Sequence, residues 1–291
     1  MRAPTFVASY STPYNTTTTP NKTVTVTTQP GDIIVIYGGS EDGNYSLGTP
    51  SGNGLTYTLR QSIVSSGFCG AYIWTAVDNT GGSNWTMTFS ISAGIQWGAT
   101  CYVFRGSDGI GASNKSSSNG STQTVDVTTT QDNSALVVFQ GDWNAVDGST
   151  RTWATINSIT PTNGNGLERD YNFSSGKYTV YGGYYSDVGT AGSKIGGVTA
   201  PTGQNYTTLA VEVKGNTSTA PTVSSDSITN INSTAADGNG TVSSDGGSTI
   251  TQRGFCWSTS LNPTTSDSTV TAAGTTGSYS ATMTGLTVGT T

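Results

Sequence analysis

Acid–base chemistry in this 291-residue chain would depend almost entirely on carboxylates, because the sequence contains no His. His is the commonest general base and the partner of Ser or Cys in hydrolytic dyads. A hydrolase built from this chain would therefore need a pair of carboxylates, as glycosidases have. The only Glu residues are Glu41, Glu168 and Glu212, and the Asp residues lie mostly beside Gly, Asn or Ser, where Asp forms turns. We therefore expect a protein that is not an enzyme.

The residues that bind metals in other proteins do not form a metal-binding pattern here. Cys69, Cys101 and Cys256 lack the short spacings of zinc ligands. The segment 142–148 departs by one residue from the calcium-loop spacing and has no closing Glu. We expect no metal and no cofactor. A disulfide between Cys69 and Cys101 and two free buried thiols both remain open, and the odd third Cys favours free thiols.

Four aromatic residues offer a different chemistry, the stacking of a sugar ring. They are Trp143, Trp153, Tyr184 and Tyr185. Aromatic faces beside Asn and Asp side chains are what a glycan requires, so these residues are the candidate glycan-binding site. Packing against a sheet or in a core explains the same four residues equally well.

The charge and the distribution of apolar residues argue against nucleic acid as a partner and against a membrane span. Seventeen acidic residues face eleven basic ones, which gives a net charge of −6 and a pI near 4.4. No run of Lys or Arg occurs, so we expect no nucleic-acid partner. No run of about eighteen apolar residues occurs either, so we expect no membrane span.

The composition of the chain is typical of extracellular β-proteins, but its first residues show no export signal. Residues 1–7 are followed at once by polar residues, without the apolar core or cleavage site of a secretory signal. A phage virion protein fits this combination, because virions assemble in the cytoplasm and leave by lysis. A mature fragment with an added Met would fit it too.

Composition predicts a nearly all-β fold in two domains. Helix-favouring residues are scarce, whereas Thr, Val, Tyr and Trp suit strands and the 39 Gly suit turns. The composition becomes polar around 214–221, between a Gly and a Pro. We therefore predict a domain over 1–215, a linker over 216–220 and a second domain over 221–291.

The first domain contains an internal duplication, with pseudo-repeats at about 20–106 and 121–215. Four segments recur in the same order: 23–28 as 124–129, 31–37 as 133–139, 66–72 as 175–181, and 99–106 as 208–215. Each half thus has an alternating strand, a buried apolar strand, an aromatic strand and a closing strand. We expect the two halves to form one jelly-roll-like β-sandwich with 33–37 and 135–139 at its centre.

Both domains resemble known families. The turn Pro30-Gly31-Asp32 and the closing strand 102–106 resemble those of β-sandwich domains in phage structural proteins and bacterial surface proteins. The region from 221 resembles the fibronectin type III-like or immunoglobulin-like repeats of Bacteroidetes surface proteins and their phages, through its segments 221–223, 245–247 and 253–260. In that family a further aromatic strand follows, so the resemblance implies that 221–291 is incomplete at its C-terminal end.

Together these observations favour a non-enzymatic virion structural protein on the particle surface, as a head fibre, a decoration protein or a tail appendage. Its expected partners are other virion proteins or copies of itself, and host-surface glycans. The resemblance implies a phage whose host belongs to the Bacteroidetes. A secreted bacterial adhesin or extracellular filament subunit is the alternative, and a carbohydrate-binding module is the third hypothesis.

Overall fold

The computed structural model describes residues 1–14, 19–92, 94–119, 123–143, 151–161, 168–173, 176–247 and 250–289. These residues form strands and turns without a helix, which confirms the all-β prediction. The chain divides into two compact units, Met1–Asn216 and Thr217–Thr291. The predicted boundary at 215 lies one residue from this division.

The first unit contains the strands β1 to β15. They are β1 Thr5–Ser11, β2 Asn21–Thr28, β3 Asp32–Ser40, β4 Thr58–Ile63, β5 Gly70–Asp78, β6 Gly82–Ser90, β7 Trp97–Arg105, β8 Ile110–Asn119, β9 Gln123–Thr129, β10 Ala135–Trp143, β11 Thr152–Trp153, β12 Glu168–Phe173, β13 Gly176–Tyr185, β14 Gly192–Ala200 and β15 Asn205–Val213.

The two halves of this unit have the same strand order. The first half forms the sheet β1-β7-β3-β5-β4, and the second half forms β8-β15-β10-β13-β12, which is the same sequence of corresponding strands. Each half adds a small sheet, β2-β6 in the first and β9-β14-β11 in the second. The segments that recur in the sequence fall on corresponding strands, such as 23–28 in β2 and 124–129 in β9.

The first unit has four layers, and the prediction of a single two-layer sandwich is wrong on this point. A first outer core fills the space between β2-β6 and its five-stranded sheet, and a second outer core does the same for β9-β14. A third, central core lies between the two five-stranded sheets. Each half is therefore a sandwich of its own, and the two sandwiches pack back to back.

Burial of β3 on both faces explains the extra layers. Ile33, Val35 and Tyr37 point into the central core, whereas Ile34 and Ile36 point into the first outer core. The same alternation holds along β10. A continuous apolar run indicates a strand covered on both faces, since successive side chains point to opposite sides.

Aromatic rings join the two halves across the central core. Tyr37 of β3 stacks on Phe139 of β10, with ring centroids 4.9 Å apart. Phe6 of β1 stacks on Tyr184 of β13 at 4.6 Å. Such pairs add to the stability that burial already provides.

The beginning and end of the first unit are hydrogen-bonded to each other. The amide of Arg2 donates to the carbonyl of Asn216 at 2.9 Å, and the amide of Asn216 donates to the carbonyl of Arg2 at 2.7 Å. This antiparallel bridge lies next to the pair formed by β1 and β7.

The second unit is smaller and more open. Its strands are β16 Thr222–Ser225, β17 Ala235–Ser244, β18 Arg253–Trp257, β19 Ser268–Ala272 and β20 Gly277–Thr284, in the sheets β16-β17-β20 and β18-β19. Among its described hydrophobic residues, the buried ones are Ala236, Val242 and Met283. Phe255 stacks on Tyr279 at 5.0 Å and links the two sheets.

Candidate functional site

The four aromatic residues proposed as a sugar platform do not lie on one surface. Tyr184 points into the central core, where it stacks on Phe6, and Tyr185 is fully buried in the second outer core. Trp143 packs, half-buried, against the central core, and Trp153 packs against the second outer core. Packing therefore accounts for both Tyr residues, and the structure does not assemble the predicted set.

The calcium-like segment falls mostly outside the described residues, which include only Asp142 and Trp143 of it. Asp142 is buried and pairs with Arg151 at 3.3 Å. The described parts of the chain contain no group of three or more metal-binding side chains. All three cysteines are free, as the odd number indicated, with Cys69 in the central core and Cys101 in the first outer core.

A groove beside β4 and β5 has the chemistry of a binding site. It has a volume of about 450 Å³ and lies on the first half. Its polar side chains are an Arg, two Asn and several Thr, and its apolar ones include a Leu and a Val. They come from three segments: Asn53, Leu55, Thr56, Thr58 and Arg60, then Thr75 and Val77, then Asn79 and Thr80.

A β-bulge directs Arg60 into this groove. Leu59 pairs with Trp74 and Gln61 pairs with Ile73, so that Arg60 is an extra residue in β4. Bulges of this kind change the direction of a side chain and are frequent beside functional sites. The Arg60 Nε donates to the Thr75 hydroxyl at 2.7 Å, which fixes the guanidinium in place.

The guanidinium of Arg60 has no acidic partner in the described part of the chain. The ion pairs found there join Arg105 to Asp32 and Arg151 to Asp142. Burial lowers the pKa of Arg60, but an arginine remains charged at neutral pH. The groove therefore contains a half-buried positive charge.

Asp78, which is buried, accepts hydrogen bonds from residues that line the groove. Its Oδ2 accepts hydrogen bonds from the Thr28 hydroxyl at 2.6 Å and from the Asn53 amide at 3.0 Å. Its Oδ1 accepts from the backbone of Thr80 at 3.0 Å and of Gly81 at 2.7 Å. Because Asn53 and Thr80 both line the groove, one buried carboxylate orders two of its segments.

These hydrogen bonds also decide the ionisation of Asp78. Burial by itself would raise the pKa of this carboxyl. The hydrogen bonds from Thr28, Gly81 and Thr80 outweigh burial, and the pKa is lowered below its ordinary value of 3.8. The carboxylate is therefore charged at neutral pH.

Sequence reasoning missed Arg60, although a signal was present. Arg60 is the only Lys or Arg between Lys22 and Arg105. A single cation in a long stretch of polar, uncharged residues is a signal that such a residue has a specific role. The bulge that directs its side chain has no signature in the sequence. Asp78 has the appearance of an ordinary turn residue, since it precedes Asn79, Thr80 and Gly81.

The second unit has a larger open groove. It has a volume of about 910 Å³ and includes the apolar side chains Ile231, Trp257, Leu286 and Val288. Ile231 and Val288 are 74% and 75% exposed, respectively. The groove is also lined by polar residues, among them Asn232, Ser258 and Asp267, so its surface is mixed.

Comparisons of the chain with family models, curated proteins and solved structures found no match. The described residues also contain no helix that could cross a lipid bilayer.

Proposed function

We propose that this chain is a non-enzymatic structural protein on the surface of a phage particle, as a head fibre, a decoration protein or a tail appendage. In this proposal the first unit attaches to the particle through other virion proteins or copies of itself. The second unit contacts the surroundings. The observation that carries the proposal is the doubled sandwich of the first unit, with its three cores.

The connectivity of each half supports a jelly-roll type of sandwich. Counted from β8 to β15, the first, eighth, third, sixth and fifth strands lie side by side in one sheet. The second, seventh and fourth strands form the other sheet. Strands that alternate between two sheets in this way are typical of jelly rolls, which occur in viral capsid proteins and in lectins. In the first half, bridges from Leu47 to Ile91 and from Ser51 to Thr88 correspond to β11.

The second unit supports a module of the immunoglobulin-like or fibronectin type III-like kind. Its sheets of three and two antiparallel strands are compatible with such a sandwich. Its open groove, with the exposed Ile231 and Val288, offers a surface for contacts with other molecules.

Reconstitution on particles tests the proposed attachment. Particles stripped of this protein are incubated with the full chain, with residues 1–216 or with residues 217–291. We expect the full chain and 1–216 to rebind, and 217–291 to remain in solution. Binding by 217–291 alone would reverse the assigned roles. Binding by none of the three would favour the alternative, a secreted bacterial adhesin or filament subunit.

The non-enzymatic part of the proposal has its own test. The purified full chain is expected to give no turnover on polysaccharides, peptides or esters, because the sequence contains no His and no carboxylate pair stands out. Turnover of a polysaccharide that is abolished by replacing one Asp or Glu would contradict the proposal.

A specific observation favours a second task, carbohydrate binding. The Arg60 groove combines hydroxyl, amide and guanidinium groups with two apolar side chains. This is the mixture that sugar-binding sites require, since a sugar presents hydroxyl groups together with apolar C–H faces.

A further inference from the structure

We propose that the Arg60 groove binds an acidic sugar, with the carboxylate of the sugar on the guanidinium of Arg60 and the hydroxyl groups of the sugar on the surrounding Asn and Thr side chains. This inference deepens the glycan-binding task of the proposed function and rests on it. It does not depend on attachment to a particle.

The charge of the groove selects an anionic group. Arg60 is half-buried, and no carboxylate of the described residues lies within ion-pair distance of it. Its exposed part faces the open groove, where a bound anion can replace water and form charge-assisted hydrogen bonds. The only hydrogen bond found for its guanidinium in the described residues goes from Nε to Thr75. An anion in the groove would therefore complete the site.

The geometry selects a carboxylate. Because Nε is engaged by Thr75, the two terminal nitrogens form the free end of the guanidinium. Two parallel N–H groups match the two oxygens of a planar carboxylate. A single cation also balances a monoanion better than a doubly charged phosphate, in a protein whose net charge is −6.

The other side chains select a sugar. Asn53, Asn79 and Thr56 line the groove, and amides and hydroxyls both donate and accept hydrogen bonds, as vicinal hydroxyl groups of a sugar require. Leu55 and Val77 supply apolar surface for the C–H face of the ring, and Val77 is 43% exposed. The volume of about 450 Å³ lies within the range of small-molecule sites.

The groove is ordered before a ligand arrives. Asp78 ties Asn53 to Thr80, both of which line the groove, through its two carboxylate oxygens. Binding therefore requires little rearrangement of these residues, which reduces the entropy cost of association.

Calorimetric titration of the full chain tests the proposal with three probes. They are a galacturonic acid trisaccharide, the corresponding neutral galactose trisaccharide and a galactose phosphate. We expect saturable binding of the galacturonic acid trisaccharide and at least tenfold weaker binding of the other two. Equal binding of the neutral sugar, or of the phosphate, would overturn the assignment of a carboxylate.

Substitutions in the groove give the second readout. Arg60→Gln is expected to weaken binding by about tenfold or more, as loss of a charge-assisted hydrogen bond does. Asn79→Ala, at an exposed turn residue, is expected to weaken binding by about threefold without affecting folding. Lys194→Gln removes one positive charge from β14 in the other half and is expected to leave binding unchanged.

The outcomes separate this inference from the particle role. Binding that is unaffected by both Arg60→Gln and Asn79→Ala would overturn the inference, and a thermal melt of each variant checks that the fold is retained. Failure to bind stripped particles would contradict the proposed attachment and would leave the sugar titration unchanged. The two proposals therefore fail separately.

Discussion

The two halves of the first unit close the same turn with carboxylates from different strands. In the first half, the amide of Gln29 donates to Asp32 at the start of β3, at 2.8 Å. In the second half, the corresponding amide of Gln131 donates to Glu212 at the end of β15, at 3.1 Å. Ser134 occupies the place of Asp32, and its hydroxyl donates to Glu212 at 2.8 Å. The fold therefore requires a carboxylate oxygen at this point in space and does not fix which strand supplies it.

The two carboxylates are stabilised by different kinds of donor. Asp32 accepts two hydrogen bonds of 2.8 Å from Arg105, which is the bidentate geometry of a strong arginine–carboxylate ion pair. The described partners of Glu212 include no cation. They are three backbone amides and two hydroxyls, from Ala112, Thr130, Gln131 and Ser134. Both arrangements satisfy the requirement that a buried charge be paired or hydrogen-bonded.

The turn itself imposes the same backbone conformation in both halves. Gly31 and Asn133 occupy corresponding positions and have φ angles of 86° and 55°. Gly adopts this left-handed region without steric cost, and Asn tolerates it better than most residues do. The duplicated halves thus differ in residue type where the geometry permits more than one solution.

Glu212→Ala should have the largest effect of the substitutions that break this comparison. It leaves three amides and two hydroxyls without their acceptor in a fully buried position, so we expect a loss of about 3–4 kcal/mol in the free energy of unfolding. Urea denaturation of the full chain measures it. Asp126→Asn, an exposed carboxylate on β9, is the control and should change stability by less than about 0.5 kcal/mol. A loss below about 1 kcal/mol for Glu212→Ala would contradict the importance of this network.

Asp32→Ala should have a smaller effect, of about 2–3 kcal/mol. It removes the acceptor of Gln29 and leaves Arg105 without its partner, but the Arg105 side chain is 40% exposed and regains water. Arg105→Gln should cost about 2 kcal/mol, because it leaves the fully buried Asp32 carboxylate without its charged partner. The same urea titrations give both values. If Asp32→Ala proved more costly than Glu212→Ala, an ion pair would stabilise this turn better than a set of uncharged donors does.

Asp78→Asn should have a smaller effect on stability than Asp32→Ala and the clearest dependence on pH. The folded pKa of Asp78 lies below its unfolded value of 3.8, so the stabilisation is present above that value and is lost as the pH falls through the folded pKa. We expect about 1–2 kcal/mol less stability at pH 7 and a weaker decline of stability below pH 4. Stability measured from pH 7 to pH 3 for both proteins checks this.

The counterpart of Asp78 in the second half gives the matched control. Asp187 also accepts an amide hydrogen bond from the residue two positions later, Gly189, at 2.8 Å. It is only partly buried, and Asp187→Asn should cost less than Asp78→Asn at pH 7. An equal cost would show that burial and the additional donors of Asp78 contribute little.

The sequence indicates more of the fold than of the groove. The runs 33–37 and 135–139 indicate strands buried on both faces, and this is how β3 and β10 lie. Such a run does not specify how many layers cover it, so the same pattern is compatible with one sandwich or with two. Tyr184 and Tyr185 are adjacent in a strand, so alternation alone separates them onto opposite faces. Arg60 depends on a bulge, which the pattern of residues does not reveal.

The bridge between Arg2 and Asn216 has a mechanical consequence. Tension applied between these two residues acts on neighbouring antiparallel segments, and would separate their hydrogen bonds one after another instead of loading them all in parallel. The force is not transmitted along the three cores, because the chain enters and leaves the first unit at neighbouring residues. Under such a load the two ends of the first unit would separate at the bridge between Arg2 and Asn216 before the force reaches the sandwiches.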